Sequence, residues 1–136
     1  MIDREGLGRR WQGCVDRFGL RPLGATPQLL AEVEQLILAT CHSTVPRPGT
    51  ESLIVDIDLS ILGAEQARFD EYDAAIRQEY AWVDATAYRE GRRSILQGFL
   101  DRPHIYATPA IRDGRETRAR ENLKRALSRL ADRPGV

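Results

Sequence analysis

Two aspartates stand two positions apart in a strongly apolar stretch of the chain, Leu53 to Gly63, LIVDIDLSILG. Wound as an α-helix at about 100° per residue, Leu53, Ile54, Ile57, Ile61 and Leu62 form one broad apolar arc. Asp58 falls inside that arc, and Asp56 falls on the other side with Ser52, Ser60 and Gly63. A carboxylate on a core-facing stripe is costly unless it is paired, hydrogen-bonded or bound to a metal. Two readings of Asp58 are open: satisfaction by an arginine or by backbone donors, or metal ligation. His42 lies sixteen residues upstream, at the end of the preceding helical pattern, and is the other candidate ligand. Two ligands do not make a site, which needs three or more and groups behind them to hold them in place. A helix C-terminus is also an ordinary place for a histidine.

The elements that must position these residues are helical. Leu7, Trp11, Cys14, Val15 and Phe18 recur at helical spacing, and Gly19 can close that helix. Thr26 and Pro27 make an N-cap and first-turn pair for a helix to about His42. Pro46, Pro48 and Gly49 force a loop before the aspartate-bearing helix. Glu65 to Val83 predicts a further helix, with Phe69, Tyr72, Ile76 and Tyr80 on one face. Asp84 is the expected N-cap of a helix to about Leu100 that aligns Tyr88, Ile95, Leu96 and Phe99. Arg92 sits on the same face, where an arginine snorkels or meets a buried carboxylate. It is one candidate partner for Asp58, with Asp56 as a further ion-pairing or supporting group. Asp101 to Pro109 is a turn with two prolines, in which His104 is expected as a turn residue. A last helix spans roughly Ile111 to Leu130 on Ala119, Leu123, Ala126, Leu127 and Leu130, and the tail ADRPGV is expected to fray. Six helical patterns without a credible second strand make the chain all-α, a compact bundle in one domain over residues 1–136.

Composition excludes little. Twenty basic and twenty acidic residues cancel, so overall charge favours neither nucleic acid nor a membrane surface, and it gives little repulsion against self-association. No apolar run approaches the roughly 18–20 residues of a membrane span. MIDREGLGRR is charged with no apolar core after it, so no signal peptide is expected. Cys14 and Cys41 have no CxxC spacing and fit reduced, buried thiols of a cytoplasmic protein. Phosphate-binding glycine loops, HExxH and nucleophile-elbow motifs are all absent from the sequence. The last helix carries Arg112, Arg115, Arg118, Arg120, Lys124, Arg125 and Arg129 against Asp113, Glu116 and Glu121. Cations spread around a helix among acids predict a solvated face, with nucleic-acid binding the weaker alternative.

LILATCH (Leu36 to His42), LIVDIDLSILG, ARFDEYDAAIRQEYAWV (Ala67 to Val83), FLDRPHIYATP (Phe99 to Pro109) and RARENL (Arg118 to Leu123) form consecutive blocks. They resemble the C-terminal half of a bacterial family of predicted metal-dependent phosphohydrolases of the HD superfamily. The resemblance implies an α-helical, HD-domain-like fold and a phosphoester-hydrolysing ancestry. It implies a centre of one or two divalent metals (Fe, Mn, Zn or Mg) held by an early His, a His-Asp doublet and a later Asp. Asp58 matches the later Asp, in the D-x-D-L block. His42 matches a position near the end of the preceding helix that is often polar in the family.

The chain departs from that pattern where the chemistry would sit. No His-Asp doublet occurs: Ser43 follows His42, and Ile105 follows His104. The region upstream of LILAT is only about 35 residues long and holds no histidine. GRRWQGCVDRFGL (Gly8 to Leu20) is similar to the family's opening helix, so the metal-binding middle is expected to have been lost by internal deletion or divergence. Without those ligands a Lewis acid and its activated water have no seat. The expectation is therefore a chain with no cofactor of its own, catalytically inactive, that acts in interaction or assembly. Helices that lose their cover expose apolar faces, so a homodimer is the expected partner state. The alternatives are a residual phosphohydrolase completed by a partner chain, acting on a phosphorylated small molecule or nucleotide, and a nucleic-acid-binding helical protein.

Overall fold

The computed structural model describes residue 9, residues 24–41 and residues 46–131. The expected first helix, with Leu7, Trp11, Cys14, Val15 and Phe18, lies outside the described residues, as do His42 and the tail. Among the described residues all regular structure is helical and no strand occurs. The helices are α1 (Pro27–Ala39), α2 (Thr50–Asp58), a 3-10 segment (Leu59–Gly63), α3 (Gln66–Glu79), α4 (Ala85–Leu100) and α5 (Pro109–Ala131). The chain divides into two compact units between Asp58 and Leu59.

In the first unit, α1 starts as its sequence dictates. Thr26 Oγ1 accepts from the Leu29 N–H at 3.1 Å, and Pro27 occupies the first turn. The helix ends three residues before the expected His42. Thr40 and Cys41 donate instead to carbonyls three residues back, Ile37 and Leu38, and Thr40 Oγ1 takes the Ile37 carbonyl as well. This tighter closure competes with the helix for the same acceptors.

α2 packs on α1, and its phase corrects the expected one. Ser52, Val55 and Asp56 are buried, while Leu53, Ile57 and Asp58 are exposed. The local cause lies in the turn before the helix. Gly49 has a φ of +95°, which turns the chain into Thr50. The Arg47 carbonyl then accepts from both the Ser52 N–H (3.1 Å) and Ser52 Oγ (2.8 Å), so Ser52 faces inward. Glu51 holds Arg47 from the other side through its N–H and guanidinium. The expected single helix to Gly63 also changes type: after Asp58 it narrows to a 3-10 turn, about 120° per residue, so the 100° wheel fails there too.

The second unit is built around α5. Its stripe Ala119, Asn122, Leu123 and Ala126 is buried, at the i, i+3, i+4, i+7 spacing of a core-facing helix. The 3-10 segment packs on α5, as do α4 and α3. Phe69, Leu96, Leu123 and Tyr106 are almost fully buried, joined by Leu59, Leu62, Phe99 and Ile105. α4 spans Ala85–Leu100 as expected, with Asp84 Oδ2 accepting from the Thr86 and Ala87 N–H groups at 2.9 and 3.1 Å.

Candidate functional site

The residues singled out from sequence do not converge. Asp58 closes α2 on its exposed side, whereas Asp56 has 1% of its surface exposed. The two carboxylates therefore do not share a face, and the burial expected of Asp58 belongs to Asp56. His42, the expected companion ligand, lies outside the described residues. Among the described residues no three His, Cys, Asp or Glu side chains gather as ligands for a metal ion.

Arg92 is where its helical phase predicts, buried on α4 beside Leu96 and Phe99. Its carboxylate partner is Asp73 of α3, with Nη2 to Oδ1 at 3.0 Å. That pair opens into a network. Arg129 bridges Asp73 (3.3 Å) and Asp70 (2.9 Å), and Arg125 also reaches Asp70 at 3.1 Å. Three arginines from α4 and α5 thus hold two aspartates one helical turn apart on α3. Desolvation pushes the Asp70 carboxyl upward. The hydrogen bonds and charges of Arg129 and Arg125 outweigh that, and its pKa falls below the ordinary carboxylate value. Arg92 lies 5.7 Å from the Tyr72 ring and Arg125 6.0 Å from the Phe69 ring, so both cations also rest against aromatic faces.

The remaining arginines of α5 serve backbone carbonyls rather than a free basic face. Arg120 donates to the carbonyls of Leu100, Arg102 and Pro103 at 3.0, 2.8 and 3.2 Å, and to Glu116 at 2.9 Å. Arg112 donates to the carbonyls of Tyr106 and Ala107, both at 2.9 Å. Arg115 reaches the Ser60 carbonyl at 3.2 Å, and Arg118 pairs with Glu65 at 2.9 Å. Glu116 in turn accepts from the Ile105 and Tyr106 N–H groups. Each irregular stretch leaves carbonyls and N–H groups without helical partners, and α5 supplies those partners. The charged residues of this predicted solvated face are exposed or half-buried, and several of its arginines also bond neighbouring backbone carbonyls.

Two further donors of this kind were not anticipated. Asn122 Nδ2 donates to the carbonyls of Leu62 (2.8 Å) and Ala64 (3.0 Å), and its Oδ1 accepts from Arg125 at 2.8 Å. The buried Tyr106 hydroxyl donates to the Leu59 carbonyl at 2.9 Å. An asparagine in the apolar stripe of the RARENL block was the available signal. Tyr106, inside a proline turn, gave none.

A second feature stands at the exposed corner between α3 and α4. Trp82 has 81% of its surface exposed, and its ring centroid lies 6.3 Å from that of Tyr80. Arg77 stacks 4.5 Å over the Tyr88 ring, whose hydroxyl pKa is raised chiefly by desolvation. Chemically, the second unit offers a half-buried network of three arginines on two aspartates and an exposed aromatic corner.

No family model, curated protein or solved structure matches the chain.

Proposed function

We propose that this chain is an HD-like helical protein without phosphohydrolase activity of its own, serving as an interaction or assembly module that self-associates as a homodimer. The supporting observation is the pairing of Asp70 and Asp73 with Arg92, Arg125 and Arg129. The acids grouped between α3, α4 and α5 are neutralised by arginines, which is the chemistry of a structural core rather than of a cation centre. The absence of a His-Asp doublet from the sequence points the same way. For assembly, Leu29, Leu53, Ile57 and Trp82 offer exposed large apolar surface.

Elemental analysis of protein purified without chelators tests the inactive reading. The expected result is far less than one Fe, Mn, Zn or Mg per chain. Near-stoichiometric metal accompanied by phosphoester hydrolysis would overturn it. Light scattering at micromolar concentration tests assembly: twice the chain mass is expected, and a compact monomer would defeat the dimer.

A further inference from the structure

We draw no further inference here: the strongest candidate, the exposed apolar surface patch that Leu53 and Ile57 present one helical turn apart on α2, carries nothing because no feature of the described residues shows what covers it.

Discussion

Arg92 on α4 and Asp73 on α3 meet at 3.0 Å, with only 8% of the arginine side chain exposed. The pair fastens the two helices flanking the Trp82 corner. It also puts a full charge where removal of its partner is felt. Breaking a fully buried pair costs about 3–5 kcal/mol, and Asp73 is itself 21% exposed. We expect Asp73→Ala to cost about 2 kcal/mol, read as a lower denaturant midpoint. Arg92→Lys should lose much of the same stability, because an ammonium cannot both reach Asp73 and lie against the Tyr72 ring as the planar guanidinium does. A midpoint unchanged by both variants would show that the pair contributes nothing.

Asp56 and Asp58 make a second comparison. Asp56 is buried on α2 and Asp58 is exposed. Asp56→Ala should destabilise by about 2 kcal/mol or more, and Asp58→Ala should stay within about 0.5 kcal/mol of the parent. Thermal melts of the two variants at neutral pH decide it, and the reverse order would restore the helical phase that the sequence alone suggests.

Gly63 and Gly98 should respond in opposite directions to alanine. A Cβ on Gly63 would stand 2.8 Å from Arg115 Cβ and 2.9 Å from both the Arg115 carbonyl oxygen and the Tyr106 hydroxyl. Neither helix nor buried ring can yield cheaply, so Gly63→Ala should cost about 1–3 kcal/mol. Gly98 lies inside α4 with nothing within 4 Å of its virtual Cβ. Gly98→Ala should stabilise by about 0.5–1 kcal/mol. Equilibrium unfolding of the two variants checks both signs.

Asn122→Leu leaves the Leu62 and Ala64 carbonyls without their side-chain donor in the core. With unpaired buried polar groups at about 1–3 kcal/mol each, we expect a loss of about 2–3 kcal/mol. Amide exchange should locate the loosening at the 3-10 segment, and exchange quickened only in α1 would argue against it.

Acid should loosen the second unit. The folded Asp70 carboxyl has a depressed pKa, so its contribution is present above the unfolded value, about 3.9, and is lost as pH falls through the lower folded value. Asp70→Asn should flatten the fall in stability below about pH 4, measured as melting temperature against pH. An unaltered acid slope would show that Arg125 and Arg129 do not discriminate between its protonation states.

The amino-acid sequence by itself determined the helices whose ends are chemical events. Thr26 with Pro27 and Asp84 before Ala85 mark starts because their side chains or rings act on the adjacent backbone. The periodicity of α4 likewise put Arg92 among the buried positions. Local chemistry could not choose which face of LIVDIDLSILG turns inward, since both candidate stripes mix apolar and polar residues. The tie from Ser52 to the Arg47 carbonyl sets one phase, and the 3-10 turn at Leu59 ends the wheel. Nor could spacing assign partners: Asp73 meets Arg92 through helix packing, and Asn122 finds the Leu62 carbonyl across a separation of 60 residues. Ion pairs and carbonyl contacts of this kind follow from where helices lie against one another in space, and only the tertiary structure decides that.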